Sequence, residues 1–274
     1  MAFQRSIFKL FGKLGDKVFY RRKGKYLARG ESKKKYKRSE GSKQSSKEFG
    51  SASTAGRLLR KGFAKYVKRF ADNEFIDRLT SKFIRIVNSG PIALKGSRHV
   101  TDGDVALLKG MEMNSYTSLD NLLKFKPKTR IEAPDKIYIE LPEFMIQNAF
   151  NAPLKGMVVV LEFMCCVFDF PGKWGEKIWL EDIVLPLKDG RCPNATLELP
   201  MDGAEGKVLV ICMGIYFRDS DNRQILNRKS KAAKLLDAVY LREGKIVQFQ
   251  YPEPPKVIDE DDEPVKRIPW KFGT

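Results

Sequence analysis

Residues that act as catalytic bases or soft metal ligands are scarce in this sequence. Its 274 residues include one histidine, His99, and four cysteines, none of them spaced as Cys-x-x-Cys. A structural zinc site needs several closely spaced cysteines or histidines, and a nucleophilic triad most often uses histidine as its base. We therefore predict no metal site and no catalytic triad, and we expect the cysteines to be free thiols packed as small apolar residues.

Glycine-rich phosphate loops are also missing. The sequence has no Gly-x-x-x-x-Gly-Lys-Ser/Thr pattern and no Gly-x-Gly-x-x-Gly turn that opens a helix, so the common nucleotide-binding fingerprints are not present. A pair of carboxylates acting as acid and base stays open, because Asp and Glu are plentiful, but the sequence nominates no pair. We predict a protein that is not an enzyme and that binds no cofactor.

No apolar run is long enough to cross a membrane. The longest, Met157–Phe170, has 14 residues and contains Glu162 and Asp169, whereas a spanning helix needs about 20 apolar residues. Cations are spread through the first 14 residues, which leaves no apolar stretch typical of a secretory signal. The sequence therefore predicts no transmembrane segment, and a location in the cytoplasm or within a phage-like particle.

Acidic residues are nearly missing from the first quarter of the chain. The whole sequence has 51 Lys and Arg against 34 Asp and Glu, a formal net charge of +17. Residues 1–70 hold 22 basic and 4 acidic side chains, whereas residues 71–274 hold 29 and 30. The sequence therefore predicts a basic N-terminal arm joined to a body that is close to neutral.

The first half of the chain has the apolar spacing of helices, interrupted at its start. In residues 1–48, glycines break a helical spacing, and a Lys-Gly pair is flanked by β-favouring residues, so we predict a basic arm or hairpin. From about Ser45 to Asn88, apolar residues mostly recur every three, four or seven positions. This spacing predicts an amphipathic helical region within a segment that covers residues 49–130.

The period changes to two after Pro134. Short alternating segments, including a strand predicted at 177–186, are separated by Pro-Gly and Asp-Gly turns and predict an antiparallel β-sandwich over residues 131–250. Residues 229–241 fit a last helix or, from Ala238, a further strand. Residues 251–274 form a Pro-rich tail with the acidic block Asp259–Glu263. The predicted fold class is α+β: a basic arm or hairpin, an amphipathic helical segment and an antiparallel β-sandwich.

Cations and tyrosines are interleaved in the arm. Clustered Lys and Arg release counterions when they bind phosphates, and exposed tyrosines stack on unpaired bases. The candidate nucleic-acid-binding residues are Tyr20, Arg21, Arg22, Lys23, Lys25, Tyr26, Lys33, Lys34, Lys35, Tyr36, Lys37 and Arg38 in the arm, and Arg57, Arg60, Lys61 and Lys65 on the helical region. We therefore predict a non-enzymatic protein that binds DNA or RNA through contacts largely independent of base sequence.

Other interpretations of the same residues stay open. Tyrosines of a hairpin commonly pack on the sheet, a lysine run is commonly a solvated tail, and a basic helix face is commonly only the solvated side of an amphipathic helix. An anionic membrane surface would also attract the arm. The main alternative is a structural subunit of a phage-like or other bacterial assembly, a homo-oligomer or a larger complex, whose arm contacts protein.

Several short segments carry a resemblance. They are Gly12–Val18, then Tyr20, Gly24, Lys25 and Arg29, then Ser45–Phe49 with the helix that follows, and Gly206–Phe217. In this order they resemble a family of proteins with a domain of unknown function from Bacteroidetes-type bacteria. The resemblance implies a Gly-Lys-x-Gly opening, a short basic strand pair, a helix and an all-β domain, together with a bacterial or phage-like origin. It implies no catalytic residues, and the basic run from Lys33 to Arg38 departs from the family's linker.

Overall fold

The computed structural model describes residues 2–5, 8–22, 24–31, 37–132, 136–188, 190–200 and 203–250. The acidic tail, residues 251–274, therefore lies outside the described residues. The chain divides into two compact units, Met1–Lys43 and Gln44–Thr274. No helix among the described residues is both long enough and apolar enough to cross a membrane.

The first unit is a four-stranded antiparallel sheet. Its strands are β1 (Ala2–Phe3), β2 (Gly12–Leu14), β3 (Lys17–Arg22) and β4 (Lys25–Gly30), in the order β1-β4-β3-β2. The hairpin of β3 and β4 lies where the Lys-Gly pair predicted one, and Gly24 has the positive φ of +76° that this tight turn requires. The segment predicted as an arm or hairpin is therefore a small sheet over its described strands.

Three helices follow, as the apolar spacing predicts. They are α1 (Glu40–Gly62), α2 (Ala64–Phe70) and α3 (Phe75–Ser89). The first begins earlier than Ser45, because the Ser39 hydroxyl accepts the backbone N–H of Ser42 at 3.3 Å and caps the helix start. Most of the periodic apolar residues are buried, but Phe49 and Ile76 are about half exposed.

The rest of the second unit is mainly antiparallel strand. After 3-10 turns at Ile92–Leu94, Val100–Asp102 and Val105–Leu108 come α4 (Leu119–Leu122), β5 (Lys128–Glu132), β6 (Lys136–Leu141), β7 (Phe144–Met145), α5 (Ile146–Ala149), β8 (Val158–Asp169), β9 (Trp174–Trp179), β10 (Ile183–Pro186), β11 (Arg191–Cys192), β12 (Ala195–Pro200) and β13 (Val208–Arg218). A further 3-10 turn at Arg228–Ser230 leads into β14 (Lys231–Arg242) and β15 (Lys245–Ile246).

The central sheet has the order β10-β8-β13-β14-β15, and β9 also pairs with β8. One face shares a core with α1, α2 and α3, and the other shares a core with the three-stranded sheet β12-β6-β5. Because β8 and β13 are buried on both faces, the sequences of these strands are nearly continuous apolar runs. The fold class is α+β with open antiparallel sheets.

Two predicted elements differ from the structure. Residues 231–242 form strand β14 and not a helix; their ladder with β13 runs from the pair Val208 and Tyr240 to the pair Tyr216 and Lys231. Residues of this strand are buried on both faces, so the alternation that identifies a strand is lost. The strand predicted at 177–186 is two strands, β9 and β10, which pair with successive stretches of β8.

A glycine in β13 allows α2 to lie close to the sheet. A Cβ added at Gly214 would lie 2.7 Å from the Phe70 ring and 3.1 Å from the Tyr66 ring. Any side chain at this position would push the helix away from the sheet. The contact fixes the cations of α2 against the side chains of β8 and β13, where the candidate site of the second unit lies.

Candidate nucleic-acid interface

The predicted residues of β3 and β4 fall on two faces of the first sheet. Residues directly opposite each other in an antiparallel pair share a face, and the register pairs Arg22 with Lys25 and Arg21 with Tyr26. Tyr20 lies two residues before Arg22 and therefore on its face. One face thus carries Tyr20, Arg22 and Lys25, and the other carries Arg21 and Tyr26.

The two tyrosines of this sheet are half-buried and already contact cations. The Arg21 guanidinium lies 5.4 Å and the Lys9 ammonium 5.7 Å from the Tyr26 ring centroid. The Arg29 guanidinium lies 5.9 Å from the Tyr20 centroid. These distances fit cation–π contacts. They leave part of each ring exposed, beside cations that a phosphate could contact.

The remaining predicted residues of the arm are less informative. Lys23, Lys33, Lys34, Lys35 and Tyr36 lie outside the described residues. Lys37 and Arg38 are exposed immediately before α1. The lysine run therefore belongs to the candidate site only as a prediction from the sequence.

A basic surface also runs along α1 and α2 in the second unit. Arg57, Lys61 and Lys68 are exposed, and Arg60 is half-buried. None of these four forms an ion pair within the described part of the chain, and residues 49–71 contain no Asp or Glu. These four residues therefore form a stripe of cations that have no ion-pair partner among the described residues.

Lys65 differs from the other cations because it contacts a buried carboxylate. Glu162 of β8 is 2% exposed, and its Oε1 lies 3.3 Å from the Lys65 ammonium and accepts a hydrogen bond from the Arg69 guanidinium. Oε2 of Glu162 is buried and has no hydrogen-bond partner among the described residues. A buried carboxylate needs such partners, so part of the positive charge of α2 compensates the charge of Glu162 inside the protein.

A tryptophan of β9 completes this surface. Trp179 lies opposite Met164 of β8 and therefore on the helix side of the sheet. Its side chain is 48% exposed, and the Lys65 ammonium lies 4.8 Å from its ring centroid. Lys177, exposed on the same face, adds another cation. Trp179 is not among the residues predicted from the sequence, although the alternation from Trp174 to Trp179 places it beside Lys177 on one face of a strand.

His99 lies beside a cavity of about 290 Å³ that has no acidic lining. The cavity is formed by α1 residues such as Thr54 and by Val100, Phe170 and Lys173, and no Asp or Glu lines it in the part of the chain that the structure describes. Nor do the described residues contain a group of three or more His, Cys, Asp or Glu that could hold a metal ion. Comparisons with known protein families, curated proteins and solved structures found no match to this chain.

Proposed function

We propose that this protein binds nucleic acid without catalysing a reaction, through the basic sheet of the first unit and the cation stripe of α1 and α2. The observation that carries the proposal is the exposed Trp179 ring beside Lys65 of α2, a helical region whose exposed cations Arg57, Lys61 and Lys68 form no ion pair among the described residues. Phosphate contacts supply affinity, and the aromatic ring supplies a stacking surface for an unpaired base.

The charge distribution favours a polyanion as the partner. Cations that face one another without carboxylates repel, and a strand of phosphates removes this repulsion while releasing its own counterions. Stacking on a tryptophan needs a base whose face is accessible, which favours single-stranded over double-stranded nucleic acid. Contacts of both kinds tolerate every base, so the binding is largely independent of sequence.

Trp179 provides a direct test of the stacking contact. Trp179→Ala is expected to weaken binding of a labelled single-stranded oligonucleotide by about 5- to 100-fold, as loss of one stacked base does. Trp179→Phe should retain most of the affinity, because a phenyl ring still stacks. Fluorescence anisotropy at constant salt measures the effect.

Trp174 is the matched control for that experiment. It lies opposite Asp169, on the other face of β9, is 42% exposed and also contacts a cation, Lys207, at 4.5 Å from its ring centroid. Trp174→Ala should change the affinity by less than about twofold. Equal losses in Trp174→Ala and Trp179→Ala would show that the tryptophan face is not the binding surface.

A structural subunit of a larger assembly is the second candidate function. The observation in its favour is a set of exposed apolar side chains in the first unit: Phe3, Phe8, Phe11 and Leu14 are 60%, 81%, 63% and 65% exposed. Such patches commonly contact protein.

Removal of residues 1–38, which keeps Ser39 as the cap of α1, separates the two functions. If the assembly function is correct, light scattering should then report a monomer in place of an oligomer. Loss of oligonucleotide binding with an unchanged oligomeric state supports the proposed nucleic-acid binding.

We also propose the finer architecture and the setting that the sequence predicted. The shared core of β8 and β13 with β6 and β12 supports classing the two sheets of the second unit as a β-sandwich. The basic first unit supports an arm-like role in binding. A bacterial or phage-like protein, in the cytoplasm or in a particle, fits the family resemblance.

A further inference from the structure

Four cations gather at the end of the central sheet near the ring of Tyr216. The Arg69 guanidinium of α2 lies 4.6 Å from the ring centroid. Arg218, on the same face of β13, lies 5.7 Å from the centroid and donates a hydrogen bond to the Tyr216 hydroxyl at 3.1 Å. Lys231 of β14 is directly opposite Tyr216, and Arg228 lies in the turn that leads into β14.

The side chains of Arg69, Arg218 and Arg228, and the backbone of Lys231, are held in place by other parts of the fold. The Asn114 side-chain amide donates to the backbone carbonyls of Arg228 and Lys231, at 2.7 and 2.8 Å, and Asn114 is buried. The Arg228 guanidinium donates to the Tyr116 hydroxyl at 2.9 Å. The guanidiniums of Arg69 and Arg218 lie against the Tyr216 ring. The cluster is therefore preorganised, because little side-chain freedom remains to be lost when an anion binds.

The cluster holds more positive than negative charge. Arg218, Arg228 and Lys231 form no ion pair with any residue that the structure describes, and Arg69 is paired with the buried Glu162. Burial together with the neighbouring Arg69 and Arg228 lowers the pKa of Lys231, which is the effect of cations held close to one another. Asp182 is also nearby: burial and the neighbouring Glu162 raise the pKa of its carboxyl, against the opposing effect of Lys65, Arg69 and Arg218.

We propose that Arg69, Arg218, Arg228 and Lys231 form a binding site for a phosphoryl dianion. The two charges of a phosphoryl group match the excess of cations, which come from α2, β13, β14 and the turn before β14. Guanidiniums bind phosphate oxygens in a fixed fork geometry. The phosphate has two sources with the same chemistry: free inorganic phosphate, or the terminal phosphate of a nucleic-acid strand. The second source rests on the proposed function, and the first does not.

Inorganic phosphate tests the site itself. With the full chain at constant ionic strength, about 20 mM phosphate at pH 8 should raise Tm by about 3 °C over chloride, the shift expected for millimolar affinity. The rise should be lost in the double variant Arg218→Gln, Lys231→Met and kept in Arg223→Gln, which removes an exposed cation outside the cluster. Circular dichroism confirms that the double variant is folded, and Lys231→Met alone, with a reduced rise, is the milder variant.

Oligonucleotides with and without a 5′-phosphate distinguish the two sources. If a strand end is the ligand, the phosphorylated form should bind about tenfold more tightly, the equivalent of one charge-assisted hydrogen bond. That preference should disappear in Arg218→Gln, Lys231→Met. A Tm rise without any end preference assigns the site to free phosphate and also supports the proposal. No rise in Tm beyond that in chloride, together with no preference for a phosphorylated end, overturns the proposed phosphate site. Failure of all oligonucleotides to bind would contradict the proposed function, and the Tm measurement with inorganic phosphate would then decide alone whether the site exists.

Discussion

Replacing both Lys65 and Arg69 by alanine is expected to lower the free energy of unfolding by about 3–5 kcal/mol. These two residues are the partners of Glu162, whose side chain is 2% exposed in a strand that is otherwise apolar up to its last residue, Asp169. Without them, a charged carboxylate stays buried with no compensating cation. Urea denaturation of the double variant against the parent measures the loss.

A third substitution shows whether Glu162 causes that loss. Adding Glu162→Gln to the double variant removes the buried charge, and we expect it to recover at least half of the lost stability. Failure to recover would mean that Lys65 and Arg69 stabilise the protein by other contacts. Binding assays should also use the triple variant, because a loss of affinity in the double variant does not distinguish lost phosphate contacts from unfolding.

Arg98→Ala is expected to have a similar cost, about 3–5 kcal/mol. The Arg98 guanidinium donates to both carboxylate oxygens of Glu48, at 2.7 and 2.8 Å, and to the carbonyls of Asn88 and Gly90, and both ion-pair side chains are 7% exposed. The substitution leaves Glu48 buried with the Gly96 N–H as its remaining hydrogen-bond donor among the described residues. The pair connects α1 to the segment after α3, so its loss should reduce the cooperativity of unfolding.

The pH dependence of this effect has a defined sign. The hydrogen bond from Arg98, assisted by the Gly96 N–H and opposed by burial, lowers the pKa of Glu48. A lowered carboxyl pKa stabilises the folded protein above the ordinary pKa, and this contribution is lost as the pH falls through the lowered value. The difference between parent and Arg98→Ala should therefore shrink in acid.

An exposed ion pair is the control for Arg98. Arg223 pairs with Asp221 at 3.5 Å, and both side chains are more than half exposed. Arg223→Ala should change the free energy of unfolding by less than about 1 kcal/mol, as is usual for surface pairs. If Arg98→Ala costs no more than Arg223→Ala, the buried pair does not hold the helices to this segment.

The sequence predicts the helices and the alternating strands, such as β6, because their burial is one-sided. Leu59, Phe63, Leu79 and Phe83 recur at helical spacing, and all four are fully buried. For strand β14 the sequence left open a helix or, from Ala238, a strand, because both faces of this strand are covered, which removes the period of two. Its position depends on a ladder with β13, which lies more than ten residues earlier in the chain and which no local pattern reports.

The candidate site was predictable as a set of cations but not as a set of contacts. Arg57, Lys61 and Lys65 stand out because no acidic residue interrupts them. That Lys65 also neutralises Glu162, a residue nearly a hundred positions later, follows only from the packing of α2 on β8. Trp179, Tyr216 and Lys231 are brought to the same side of the sheet by strand register, which spacing along the chain does not encode.

The dependence of the binding constant on salt tests phosphate binding most directly. For a single-stranded oligonucleotide, the logarithm of the parent's binding constant should fall linearly with the logarithm of NaCl concentration between about 50 and 200 mM, with a slope of about −0.7 for each phosphate contacted. Arg57→Gln, Lys61→Gln, Lys68→Gln should make the slope less negative by about 2, and Arg22→Gln, Lys25→Gln by about 1. A parent slope near zero, or a slope that neither variant changes, would contradict nucleic-acid binding through these surfaces.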